Sequence, residues 1–140
     1  MSKKFNLLAG TIAAFGMVAG HAASAETLRV AGNFPMEHTA TEAMEIFKEE
    51  VEAASDDLEV ELFPAMQLGG AGENVDQVRS GTVFAVFTSI AYFTSSVPEY
   101  EAVSLPFLFG TREQAFEVID GEVGELFNER MKEAGFVNLG

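Results

Sequence analysis

The feature that most constrains this fold is a switch in apolar period that happens again and again along the chain. Thr27 to Gly32 alternates apolar and polar residues, the signature of a half-buried strand. Thr39 to Ala54 then places Ala40, Ala43, Met44, Phe47, Val51 and Ala54 at helical spacing, on one stripe. Leu58 to Phe63 alternates again, and Pro64 ends it. Strands that alternate with helices pair in parallel, because a parallel partner needs a crossover between the two strands. The spacing therefore predicts an α/β lobe with a mainly parallel sheet and helices on both faces.

The rest of the chain extends the pattern. Gln67 to Gly72 is a glycine-rich loop. It lacks the Lys-Ser/Thr that a phosphate cradle requires, so it does not read as a nucleotide site. A helix is predicted from Glu73, with Gly81 as its stop. Val83 to Thr88 is a continuous apolar run suited to a strand covered on both faces. Thr111 and Gln114 form a capping box that opens a helix through Ile119, stopped at Gly121. Gly124 to Ala134 gives a further helix closed by Gly135, and Phe136 to Gly140 reads as the start of a strand. Between them lies Val97 to Phe109, an apolar run bracketed by Pro98 and Pro106. It predicts a short extended segment that turns, crosses the core and turns again.

The first 25 residues read as an export signal: Lys3 and Lys4, an apolar stretch from Phe5 to Gly20, then Ala23-Ser24-Ala25. The stretch is shorter than the ~20 residues that span a bilayer. Cleavage after Ala25 leaves one domain, residues 26–140, in the periplasm. No cysteine is present, so stability rests on a core and not on disulfides. The formal charge of −14 becomes −16 once the two leader lysines are removed. Such a charge opposes binding to nucleic acid and to anionic membranes.

Ligands of open α/β sheets bind beyond the carboxyl ends of the strands. Three loops qualify: the one at Asn33, the one opening a helix at Ala71 and Glu73, and the one holding Thr88, Ser89 and Tyr92. They offer an amide, hydroxyls, helix N–H groups and an aromatic ring. These groups hold a small polar molecule but perform no covalent chemistry. Catalysis is not expected. His38 is the one histidine outside the leader, no GxSxG elbow is present, and carboxylates alone make an atypical zinc site. Glu49-Glu50 and Asp56-Asp57 read as solvated charge. No cofactor and no metal are expected.

Four segments in order, "LRVAGNFP", "FPAMQLGG", "VPEYEAVSLPFLF" and "GEVGELF", closely resemble the N-terminal lobe of the solute-binding proteins of TRAP (tripartite ATP-independent periplasmic) transporters. The resemblance implies a two-lobe protein that closes over an organic acid and delivers it to a membrane permease driven by an ion gradient. It implies a monomer when full length, and no enzyme. By position it makes Asn33, Ala71, Thr88 and Ser89 first-lobe ligand contacts. Ala71 and Ser89 stand where some members place acidic side chains that contact a sugar acid, and their small size argues against that ligand. Phe84 stands where the family usually has an Asp. The arginine that pairs with the ligand carboxylate is expected beyond Gly140, and Arg79, Arg112 and Arg130 do not match its position. The chain is thus expected to be truncated before its second lobe and not to bind alone. A ligand-sensing domain and the binding protein of an ATP-driven importer are the alternative readings.

Overall fold

The computed structural model describes residues 25–139; the predicted export signal lies outside them except for its last residue, Ala25. Three strands, β1 (Glu26–Gly32), β2 (Leu58–Phe63) and β3 (Ala85–Phe87), form one parallel sheet in the order β2–β1–β3. Leu28 lies opposite Val60, and Val30 lies opposite Ala85. Helix α1 (Thr39–Ala54) connects β1 to β2, and α2 (Ala71–Arg79) connects β2 to β3. A 3-10 turn (Ile90–Phe93) follows β3. Three helices complete the fold: α3 (Tyr100–Val103), α4 (Arg112–Ile119) and α5 (Glu122–Glu133). No helix among the described residues is long and apolar enough to cross a membrane.

The sheet separates two cores. Alternation sends Leu28, Val30, Val60 and Ala85 to one face, where they meet Met44 with Phe47 and Val51 of α1. Val86, between Ala85 and Phe87, turns to the other face. There it packs with Val75, Phe93, Val97, Tyr100, Phe127, Met131 and Phe136. Helices therefore cover both faces, as the periodicity predicts. Val30, Met44 and Val60 are at most 1% exposed, and burying each such side chain contributes about 1.5–3 kcal/mol. Gly32 is needed here, because a β-carbon on it would lie 2.4 Å from the Met44 sulfur.

Helix boundaries follow local chemistry. Thr111 Oγ1 accepts the Gln114 N–H at 3.2 Å, and Gln114 Oε1 accepts the Gly110 N–H at 3.0 Å, which is the reciprocal cap expected for α4. Gly81 (φ +76°) and Gly135 (φ +87°) take the left-handed conformation just after α2 and α5. Helix α1 is capped by an imidazole. His38 precedes the helix, and its Nδ1 accepts the Ala40 N–H at 3.0 Å. Helix α2 begins at Ala71, two residues before the predicted start, and α5 begins at Glu122 with Gly121 as its cap.

Two expectations fail. Val97 to Phe109 is not an extended segment through the core. Pro98 opens a turn in which Tyr100 N–H donates to Val97 C=O (3.2 Å) and Glu101 N–H to Pro98 C=O (3.0 Å), leading into α3. Pro98 lies just ahead of that helix and not inside it, so its missing N–H removes no intrahelical bond. Val97 and Tyr100, three apart, are buried together, but Leu105, Phe107 and Leu108 are exposed. Residues 136–139 also form no strand. Phe136 instead plugs the second core, edge-on to Phe93 at 5.1 Å and under the Arg79 guanidinium.

Candidate functional site

The carboxyl ends of β1 and β3 and the first turn of α2 meet at one end of the sheet. Asn33 extends β1, and its N–H donates to Phe87 C=O at 3.1 Å, which sets it beside Thr88. Its side chain turns inward. Asn33 Nδ2 donates to Asn74 Oδ1 at 2.9 Å, and Asn74 Nδ2 donates to Leu68 C=O (3.1 Å) and Gln77 Oε1 (2.9 Å). Gln77 Nε2 also donates to Leu68 C=O, at 3.1 Å. A backbone carbonyl only accepts, so Leu68 fixes which end of each amide points where. The orientation passes from Leu68 through Asn74 to Asn33 and leaves Asn33 Oδ1 buried without a partner. Thr88 Oγ1, on the neighbouring strand end, is also buried without one. Each unmet acceptor in such a place costs about 1–3 kcal/mol.

The outer layer is open. Ser89 is exposed and caps the 3-10 turn, its Oγ accepting the Ala91 N–H at 3.3 Å. Tyr92, on that turn, is half exposed. Ala71 is buried at the start of α2, behind Gly70, which supplies no side-chain cap. Glu73 is exposed, and its carboxylate lies over Gly69; a β-carbon there would be 2.2 Å from Glu73 Oε2. Gly69 is favoured there by its left-handed backbone (φ +113°). The negative charge favoured at a helix N-terminus is already supplied by the chain itself.

The walls beside this end are tied to β1. Ala65 N–H donates to Phe34 C=O (3.0 Å) and Met66 N–H to Gly32 C=O (2.9 Å). Ala65 and Met66 are both left-handed (φ 53° and 61°). Two consecutive non-glycine residues in that conformation carry strain of about 1 kcal/mol or more each, held by these bonds. Phe34 stacks on His38 with centroids 4.4 Å apart. An open depression of about 260 Å³ lies between α1 and the end of β2, lined by residues such as Met36, Glu45 and Gln67. None of the six predicted site residues lines it.

The structure thus gathers the three predicted loops at one end of the sheet but sorts them by depth. Asn33, Ala71 and Thr88 form a floor, and Glu73, Ser89 and Tyr92 form a rim. Sequence reasoning passed over Asn74 and Gln77. An asparagine inside a helix is a readable signal, because it competes with the helix backbone unless its side chain is otherwise engaged. Among the described residues no cluster of three or more His, Asp or Glu side chains is placed to hold a metal ion.

Residues 30–140 match the DctP family, bacterial extracellular solute-binding protein family 7. The ectoine/5-hydroxyectoine-binding periplasmic protein UehA of Ruegeria pomeroyi is 34% identical over 113 residues, covering 79% of this chain and 33% of UehA. A TRAP periplasmic solute-binding protein from Sulfitobacter sp. NAS-14.1, solved with β-D-galacturonate, superposes with a TM-score of 0.78. It is 29% identical and aligns over 82% of this chain and 39% of its own. Its counterpart from Sulfurospirillum deleyianum, solved with succinate, gives 0.76 at 31% identity, with 83% and 38% covered. The chain spans between 23% and 42% of the curated relatives it matches. The family match over residues 30–140 and the superposition on solved TRAP binding proteins lead to one conclusion: the chain belongs to the DctP family, the periplasmic solute-binding proteins of TRAP transporters.

Proposed function

We propose that this chain supplies the first lobe of a periplasmic solute-binding protein that captures a small organic acid and hands it to the membrane permease of an ion-gradient-driven TRAP transporter. Residues 1–25 direct its export and are removed. The observation that carries the reading is the convergence of β1, β3 and α2 on one end of the parallel sheet. There two buried oxygens, Asn33 Oδ1 and Thr88 Oγ1, have no partner, while Ser89 and Tyr92 are exposed. Such a surface holds a ligand through hydrogen bonds and ring contact.

The charge layout assigns the ligand a direction. Glu73 occupies the anion-favouring start of α2, so a ligand carboxylate is repelled there. The acid group must face away from this lobe, toward a cation supplied from elsewhere, and an arginine fork is its natural partner. The uncharged part of the ligand then meets Ser89 and Tyr92. Ala71 and Ser89 add space and no charge, which favours a ligand without an extensive set of hydroxyls to bind. The relatives' own ligands, galacturonate, succinate and ectoine, define the panel to try.

The test is calorimetry on a two-lobe protein carrying this chain as its first lobe. Ser89→Ala is expected to weaken the best organic-acid ligand about 5- to 150-fold, the equivalent of one lost buried hydrogen bond. Tyr92→Ala is expected to weaken it as well. Unchanged affinity in both variants would contradict the placement. Absence of any organic-acid binding by the parent would contradict the function. Mass spectrometry of the periplasmic fraction should find a mature chain beginning at Glu26.

A further inference from the structure

The outer edge of β2 is occupied by side chains of α1. In a parallel ladder, successive residues present their backbone groups to opposite edges. Among the described residues, β2 pairs with β1 on one edge only. On the other edge, Val60 N–H donates to Glu52 Oε1 at 2.8 Å, and Val60 C=O accepts from Lys48 Nζ at 2.7 Å. Lys48 and Glu52 sit one helical turn apart and approach to 3.3 Å. Together they offer β2 what a neighbouring strand would offer: one acceptor and one donor at the right spacing.

Two features say that this geometry is aimed at the strand and not at the helix. An exposed ion pair by itself contributes little. A lysine placed four residues before a glutamate is also the poorer orientation for supporting a helix. Unpaired edge groups are a template for another strand, and Val60 lies near the middle of β2, where any strand docking along it must bond. We propose that Lys48 and Glu52 act as a surrogate strand that closes the β2 edge against pairing with β2 of a second copy of this chain. Glu59 and Glu61, on the same strand, add charge repulsion between two such copies.

The experiment combines amide hydrogen exchange with sedimentation velocity on a two-lobe protein carrying this chain as its first lobe. In the parent, Val60 N–H is expected to be protected like the ladder amides of β1, although it lies on a sheet edge. Glu52→Ala should speed exchange at Val60 by about tenfold, the equivalent of one lost charge-assisted bond, and leave the β1 amides unchanged. The double variant Lys48→Ala/Glu52→Ala should self-associate at about 1 M salt, where the Debye length falls to ~3 Å and the glutamates no longer repel. The parent should stay monomeric there. Glu52→Gln keeps an acceptor oxygen at the same reach, so it should retain protection and remain monomeric, and it decides the matter if the alanine variants fail to fold. Unchanged exchange at Val60 in Glu52→Ala, a double variant monomeric at every salt concentration, or a glutamine variant that self-associates would each overturn the proposal.

Discussion

The unit built from β1, α1 and β2 and the stretch from Ser104 to Leu126 treat apolar surface in opposite ways. In the first, Val30, Met44 and Val60 are all but inaccessible, and even the free edge of the strand is engaged by side chains. In the second, Leu105, Phe107, Leu108, Phe116, Ile119 and Leu126 are all exposed, Phe107 completely (102%). Phe107 also holds a left-handed φ of 61°, an unfavourable conformation for a bulky side chain. The first unit buries its apolar face against itself and β3, with Ile46 left exposed. The second leaves six large apolar side chains open to solvent. What the difference teaches is that sequence hydrophobicity alone does not say where a residue goes. Val97 to Phe109 is as apolar as β2, yet only part of it is buried.

Substitutions can break this comparison directly. Val60→Ala or Met44→Ala should destabilise the fold by about 2–5 kcal/mol in urea denaturation, because each leaves a cavity in a packed core. Phe107→Ala should fall within about 0.5 kcal/mol of the parent. Comparable losses in the two regions would erase the distinction. A smaller effect is expected at the site end. Asn74→Ala should cost about 1–3 kcal/mol, because Asn33 Nδ2 and Leu68 C=O lose a buried partner. The same experiment with Ser89→Ala should show little loss of stability, because Ser89 is exposed and caps a single short turn.

The smallest expected effect is a pH dependence. The Val60 N–H, and secondarily Lys48, hold the Glu52 carboxyl below its ordinary value of 4.5. A carboxylate favoured in this way contributes stability above the unfolded-state value, and that contribution is lost as pH falls through the lower folded-state value. Denaturation midpoints taken from about pH 6 down to pH 3 should therefore fall less steeply in Glu52→Gln than in the parent. Parallel curves would mean that Glu52 is not engaged by β2 in solution.

Much of this fold was legible in the sequence, and the reason is physical. Where an element buries one face, the apolar period records it, so β1, α1 and β2 were predicted nearly to their ends. Where the period gave way to proline, the reading failed: Val97 to Phe109 was expected to run extended through the core, and it turns at Pro98 into α3. Phe136 was read as part of a strand because it is apolar, yet it is a lone plug between Phe93 and Arg79. At the site, the loops were legible and the depths were not. Asn33 was expected to face a ligand, and its amide nitrogen faces Asn74. That contact joins residues 41 positions apart, and no local pattern announces it. His38 illustrates the same limit, since its capping of α1 through Nδ1 depends on a ring orientation fixed by stacking on Phe34.

We propose that the carboxyl end of this sheet is one wall of a ligand site whose acid-binding partner lies on another lobe. A crystal structure of the two-lobe protein with its organic acid tests it most directly. The account predicts a ligand hydrogen-bonded near Ser89 and in contact with Tyr92, its carboxylate turned away from Glu73 and paired with a cation outside residues 26–140. A ligand seated in the depression beside Met36 and Gln67, or one whose carboxylate rests on the first turn of α2, would contradict it.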